Sequence, residues 1–110
     1  MLVQTKFYEF RQNNSGGVFH RNKDVDETVI IEAINAGQAN SKAQNIGIYF
    51  NGCKDDMDCY CCGDRWYDIH SDDEGEDTLE ILLNNEYRDK NRTWIYFYDG
   101  RKERPDGLGE

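Results

Sequence analysis

The alternation of apolar and polar residues predicts a domain built mainly from strands, with one short helix. Aromatic and β-branched residues are dense in residues 2–10, which predicts a first strand. The short apolar run at residues 28–33 predicts a second strand with a central position in the sheet. Residues 93–98 predict a late strand, closed by a turn at Asp99–Gly100. The aromatic residues of that strand share one face, and we expect them to join the core: Trp94, Tyr96 and Tyr98.

A helix is predicted directly after the second strand. Asn35 has the position of an N-cap, and Gln38 stands three residues later in the capping-box position. Apolar residues then recur at helical spacing, at Ala36, Ala39, Ala43 and Ile46. Gly47 can adopt the left-handed conformation that ends a helix. Because its apolar face is mostly alanine, this helix can lie close to a sheet.

Shorter patterns complete the fold prediction. Residues 48–50 and 65–69 read as a third and a fourth strand on either side of a cysteine-rich loop. Residues 78–84 fit either a helix, capped by Asp77 and Glu80, or a strand. We therefore predict an α+β domain over residues 1–100, with a small, mainly antiparallel sheet, one short helix and a metal-binding cysteine loop. Residues 101–110 are expected to form a loose tail.

Charge narrows the classes of partner. The chain of 110 residues has 13 Lys and Arg against 22 Asp and Glu, a formal net charge of -9. Proteins that bind nucleic acid non-specifically use cations to displace counterions from phosphates, so direct nucleic-acid binding is disfavoured. A basic protein surface is the favoured partner. Without a long apolar run or a signal-peptide pattern, we expect no membrane association and no secretion.

The four cysteines lie within ten residues and predict a metal site. The segment Cys59-x-x-Cys62-Gly63 has the spacing of a zinc knuckle, in which a tight turn lets two thiolates converge on one ion. Cys53, at the other end of the loop, would be the third ligand. Zinc prefers four tetrahedral ligands, and a site filled by protein ligands is structural rather than catalytic.

The fourth ligand is open between Cys61 and His70. Cys61 lies inside the loop and is favoured, although the side chains of adjacent residues diverge. The alternatives to a metal site are free thiols, or one or two disulfides, but a reducing compartment favours metal ligation. Asp64 and Arg65, beside the knuckle, are expected to bond the backbone of the loop.

A second candidate site is the loop that follows the first strand. A backbone nest there could hold a small anion or a nucleotide phosphate. Its candidate binding residues are Arg11, Asn13, Asn14, Ser15, Gly16 and Gly17. A turn without a ligand is the commoner role of such residues, and no Gly-Lys-Ser/Thr follows to make a P-loop.

Other patterns argue against catalysis and calcium binding. The acidic run at residues 72–77 lacks the ligand spacing of an EF-hand, so a solvated loop is expected. Zinc deaminases need His-x-Glu and Pro-Cys-x-x-Cys, which the chain lacks. Since no nucleophile–base pair is visible either, we expect a protein that is not an enzyme.

Two stretches, residues 6–17 and 47–67, resemble a family of small proteins of tailed bacteriophages, including phages of cyanobacteria. The first is KFYEFRQNNSGG, and the second contains GIYFNGC and DCYCCGDRWY. The resemblance implies a phage origin and expression in the host cytoplasm, but no particular chemistry. Together with the small size, the acidity and the predicted metal site, it favours a non-enzymatic, zinc-stabilised accessory protein that binds a host component, with host defence or host machinery as the candidate targets. A binder of nucleotide signals and a minor virion protein are the alternatives.

Overall fold

A computed structural model describes residues 4–13, 17–55, 57–60, 62–84 and 90–105. The strands are β1 (Lys6–Arg11), β2 (Thr28–Ala33), β3 (Thr93–Tyr96) and β4 (Lys102–Glu103). The α-helices are α1 (Ala36–Asn45) and α2 (Leu79–Leu83), and a 3₁₀ turn at Lys90–Arg92 precedes β3. None of the helices in the described ranges has the length and apolar character needed to cross a membrane.

The four strands form one sheet in the order β1-β2-β3-β4. β1 pairs antiparallel with β2, and β3 pairs antiparallel with β4. The central pair, β2 and β3, is parallel, with Ile30 opposite Ile95. The predicted α+β class, the mainly antiparallel sheet and the central position of β2 are confirmed. The prediction of a loose tail did not anticipate β4, and residues 106–110 lie outside the described part.

The predicted capping residues of helix α1 make the hydrogen bonds expected of them. The Asn35 side chain accepts a hydrogen bond from the Gln38 backbone N–H at 2.8 Å, while the Gln38 side chain accepts one from Ile34 N at 2.9 Å. Gly47 ends the helix with a φ of 105°. The alanine face of α1 packs on β2, and Ala39 and Ala43 are completely buried.

The main core lies between α1 and one face of the sheet. Its buried members include Tyr8, Phe10, Val29, Ile31, Ile48 and Trp66. The predicted core aromatics differ in depth: Tyr96 packs on this cluster, Trp94 is half-buried, and Tyr98 is 39% exposed. On the other face of the sheet, Ile30 and Ile95 are fully buried.

Two predicted strands are wrong. Residues 48–50 and 65–69 form no strand, although Ile48 and Trp66 enter the core as their apolar character requires. Their backbone groups find other partners: Ile48 N donates to Ala43 O of the helix, and Asn40 bonds both the N–H and the carbonyl of Ile69. Residues 48–50 and 65–69 thus pack on the core without pairing with a strand of the sheet.

Residues 78–84 contain a helix, which resolves the predicted ambiguity. The N-cap is Thr78 rather than Asp77, and its side chain makes no capping hydrogen bond. Leu82 of α2 lines a cavity of about 190 Å³ together with Phe7 and Glu9 of β1. The helix therefore approaches the edge of the sheet at β1, where Glu76 also forms a single bridge to Phe7.

A buried carboxylate ties the β4 side of the sheet to the loop before β2. Asp26 is only 2% exposed and accepts hydrogen bonds from Arg21, Arg104 and the Glu27 N–H. Burial alone would raise its pKa, but these hydrogen bonds, first that from Arg104, outweigh burial and hold the pKa of Asp26 below its usual value. The charged form of Asp26 is therefore part of the folded structure.

Candidate functional site

The backbone of the cysteine loop makes the tight turn that its sequence predicts. The Cys59 carbonyl accepts hydrogen bonds from the N–H groups of Cys62 and Gly63, each at 3.2 Å. Gly63 has a φ of 87°, the left-handed conformation that glycine adopts readily. Asn51, before the loop, also has a positive φ of 59°. A turn of this kind brings the ends of the Cys59–Gly63 segment together.

Three of the four cysteines lie in the described part of the chain, and none of these three forms a disulfide. The Cys53 thiol donates to the Cys59 carbonyl at 3.3 Å, so the two ends of the loop touch. Burial, helped by a hydrogen bond to Asp64, raises the pKa of the Cys53 thiol to about 11. Without a bound cation, this shift favours the neutral thiol of Cys53 over the thiolate.

The described residues include only part of the predicted ligand set. Across the described ranges, no three His, Cys, Asp or Glu side chains converge where one metal ion could sit. Cys61 lies outside the described residues. His70 is exposed in a turn, where its Nδ1 atom accepts from the Asp72 N–H at 3.1 Å. The acidic run also presents no calcium site among the residues described.

A buried polar cluster holds the cysteine loop in place. The Asp58 side chain is fully buried and accepts hydrogen bonds from the Tyr49 hydroxyl at 2.7 Å and the Arg65 N–H at 2.8 Å. The Arg65 guanidinium donates from Nε to the Tyr49 oxygen at 3.2 Å, and its Nε lies 3.6 Å from Asp58 Oδ1. The opposite charges of Arg65 and Asp58 thus compensate each other inside the protein, and the Tyr49 hydroxyl forms a hydrogen bond with each side chain.

The same arginine reaches the loop after β1. Its Nη1 donates to the Val18 carbonyl at 2.6 Å and to Gln12 Oε1 at 3.0 Å. Gln12 is buried and also bonds both backbone groups of His20. Partial burial and the charge of Arg65 lower the pKa of the His20 imidazole. Arg65 therefore connects residues 12–20 with residues 49–65.

Two further side chains strengthen this connection. Asp64 accepts from the Cys53 N–H at 2.9 Å, which confirms that it bonds the loop backbone. Asn13 donates from Nδ2 to the carbonyls of Cys62 and Asp64, at 2.7 and 3.1 Å. The amide hydrogens of Asn13, predicted to meet an anion, are thus already used within the protein.

The remaining candidates for anion binding are only partly placed. Arg11, at the end of β1, is exposed, and Gly17 is exposed with a φ of 85°. Asn14, Ser15 and Gly16 lie outside the described residues. The structure brings Asn13 to the cysteine loop, so the two candidate sites of the sequence are neighbours.

Five exposed apolar side chains belong to the two segments that meet at this junction. We call this group the loop surface; its members are Val18, Phe19, Met57, Tyr60 and Tyr67. Tyr60 is 75% exposed, and Tyr67 is 58% exposed with its hydroxyl close against Gly63. Exposed apolar clusters are typical of interaction sites. Sequence reasoning missed this surface, because it placed Tyr67 in a strand; the density of aromatic residues among the charged residues of the loop was the available signal.

The comparisons with known proteins give a family but no activity. No curated protein and no solved structure matches the chain. A family model described as a domain of unknown function matches residues 5–109, which covers both strands of the central pair and the whole cysteine loop. The chain therefore belongs to the family of the domain of unknown function DUF7296.

Proposed function

We propose that this protein is a phage-encoded accessory protein without enzymatic activity, which binds a basic surface of a host protein through its loop surface. The observation that carries the proposal is the exposure of five apolar side chains in two segments that Arg65 links. Tyrosine is among the residues that dominate the energetics of protein interfaces. Tyr60 and Tyr67 are the favoured anchors, because Tyr60 lies in the hydrogen-bonded turn at Cys59–Gly63 and Tyr67 contacts Gly63 at its end.

The negative charge of this protein indicates that the proposed partner presents a basic surface. Asp55, Asp64 and Asp68 lie within the same loops as the two tyrosines, and the chain as a whole has a net charge of -9. Carboxylates at the rim of an apolar patch favour lysine and arginine on the partner and speed their encounter. The acidic run at residues 72–77, which bridges to β1 through Glu76 and Phe7, adds further negative charge to the protein.

Phage origin rests on the resemblance of residues 6–17 and 47–67 to tailed-phage proteins. These two stretches contain the side chains that Arg65 joins, including Gln12 and Tyr49. A junction built from both motifs is a reason to look for the binding activity there. Small phage proteins that are made in the host cytoplasm meet host proteins before any others.

We propose in addition that zinc stabilises the cysteine loop, with Cys53, Cys59 and Cys62 as ligands and Cys61 as the fourth. The turn at Cys59–Gly63 and the contact of the Cys53 thiol with the Cys59 carbonyl support this proposal. His70 is the alternative fourth ligand, but its engagement with Asp72 favours Cys61. A bound zinc ion would hold the loop that presents Tyr60.

Elemental analysis of the purified protein tests the zinc site. We expect about one equivalent of zinc, lost in Cys→Ser variants of each ligand position and kept in His70→Ala if Cys61 is the fourth ligand. Less than about half an equivalent in protein prepared without chelators would reject the site. The partner proposal survives that result, because the Arg65 cluster holds the loop independently of a metal.

Affinity capture from a bacterial host lysate tests the partner proposal. The baits are the wild type, the double variant Tyr60→Ser/Tyr67→Ser, and Ile81→Ser as a control, since Ile81 is 53% exposed but outside the loop surface. We expect one basic host protein to be retained by the wild type and by Ile81→Ser. The tyrosine variant should lose it.

Salt dependence completes this test. Raising the salt from about 0.1 M to about 1 M shortens the Debye length from ~10 Å to ~3 Å and should weaken capture. The proposal fails if no captured protein depends on the two tyrosines. It also fails if retention at low salt is unchanged at high salt, because the proposed partner is recognised by its charge.

A further inference from the structure

A groove of about 300 Å³ opens between the last turn of α1 and the end of β3, away from the loop surface. Its walls are mainly apolar and aromatic, and they come from β2, β3 and the helix end: Ile31, Ile46, Tyr96, Phe97 and Tyr98. Gly100 lines one side of the groove, and no atom other than those of its two chain neighbours lies within 4 Å of where its Cβ would be. This volume is at the lower end of the range for small-molecule sites.

Lys42 is the charged residue among those that line the groove, and Asn45 adds an amide. The Lys42 Nζ atom lies 4.2 Å from the centroid of the Tyr98 ring and donates to the Glu32 carbonyl at 3.2 Å. An ammonium has three N–H groups, so donors remain for a ligand after this hydrogen bond. The cation therefore stands at the wall of an aromatic groove.

We propose that this groove binds a small planar aromatic carboxylate. The aromatic walls suit a flat ring, and the ammonium of Lys42 suits a single carboxylate. A multiply charged anion fits less well, because the Glu32 carboxylate is held beside the groove by the Tyr98 N–H at 2.9 Å. The inference is independent of both the proposed partner and the proposed zinc.

Titration with 2-naphthoate, followed by ¹H–¹⁵N NMR spectra of the full chain, tests the site. The neutral isostere 2-naphthamide is the matched probe. We expect saturable shifts at Ile31, Ile46 and Gly100, with a dissociation constant of about 1 mM or tighter for naphthoate. Naphthamide should bind about tenfold more weakly, because it lacks the charge that Lys42 recognises.

Lys42 variants separate recognition from folding. Lys42→Met should weaken naphthoate binding about tenfold and leave naphthamide within about twofold, while Lys42→Arg retains most of the affinity for naphthoate. Lys54→Met, which removes a lysine from the cysteine loop, should change neither probe. Dispersed spectra of each variant establish that it is folded.

The proposal is overturned by any of three results. The first is the absence of saturable shifts with naphthoate up to about 10 mM, well above the expected constant. The second is equal affinity for naphthoate and naphthamide. The third is a folded Lys42→Met variant that binds naphthoate as the wild type does.

Discussion

Replacing Arg65 with methionine removes the cation at the centre of the buried polar cluster while keeping a long, flexible side chain. Arg65 is only 4% exposed, and its guanidinium donates to Val18 O, Gln12 Oε1 and Tyr49 Oη. In the variant these acceptors lose a donor inside the protein. The Asp58 carboxylate keeps the Tyr49 hydroxyl and a backbone N–H, but its compensating charge is gone.

Removing one partner of a buried ion pair costs about 3–5 kcal/mol. Because Asp58 retains two hydrogen bonds, we expect a loss of about 3 kcal/mol in the free energy of unfolding for Arg65→Met. Domains of this size are stable by roughly 5–15 kcal/mol, so the loss is a large fraction of the total. It corresponds to a decrease of roughly 10–20 °C in Tm.

Urea unfolding followed by circular dichroism and by the fluorescence of the buried Trp66 measures this effect. The double variant Arg65→Met/Asp58→Asn should be about 1–2 kcal/mol more stable than the sum of the single losses predicts, because it removes the uncompensated carboxylate as well. Arg101→Met is the control. Its ion pair with Asp99 is exposed, so we expect a change below about 1 kcal/mol.

Two results would refute this reasoning. A loss below about 1 kcal/mol for Arg65→Met would mean that the buried cluster contributes no more than an exposed ion pair. Strict additivity in the cycle with Asp58→Asn would mean that the two charges act separately, although their side-chain atoms lie 3.6 Å apart.

Two further predictions concern a close contact and a buried acid. In Gly52→Ala, the new Cβ would lie 1.8 Å from Asp58 Oδ2, so we expect the free energy of unfolding in urea to fall by ~1–3 kcal/mol. The control Gly37→Ala, at an exposed helix position, should raise it by up to ~1 kcal/mol. An unchanged stability of Gly52→Ala would contradict the close contact with Asp58. The lowered pKa of Asp26 means that its stabilisation is complete above the unfolded pKa of about 3.9 and is lost as pH falls through the folded value. The urea midpoint of the wild type should therefore fall below about pH 4 more steeply than that of Asp26→Asn, and parallel pH profiles would exclude this role.

The parts of the fold that were predictable depend on local signals. Residues 28–33 contain the short apolar run of residues 29–31, which is typical of a buried central strand. The helix boundaries follow from Asn35 and Gly47, whose side-chain and backbone chemistry acts within four residues of each end. Such interactions join residues that are close together in the sequence, so they can be predicted from a short stretch of it.

The segments that were mispredicted depend on contacts outside the segments themselves. Residues 65–69 have the composition of a strand, but the backbone of Ile69 is satisfied by the Asn40 side chain of α1. The strand β4 forms because Lys102 and Glu103 meet β3 after a turn, where the Lys102 ammonium covers the Trp94 ring at 4.2 Å. The contact between Asn40 and Ile69 joins residues 29 positions apart. The strand β4 follows the predicted turn at Asp99–Gly100, but it is only two residues long and has no strand pattern of its own.

The candidate site shows the same division between local and distant causes. The turn at Cys59–Gly63 was predictable from its spacing, whereas the role of Arg65 was not, because its partners Gln12 and Val18 are about fifty residues earlier in the chain. This separation has a functional consequence. Since one guanidinium bonds residues of both loops, we expect it to hold the loop surface in place, so that less conformational entropy would be lost when the proposed partner binds. Arg65→Met should therefore weaken binding of the proposed partner, although Arg65 itself is buried.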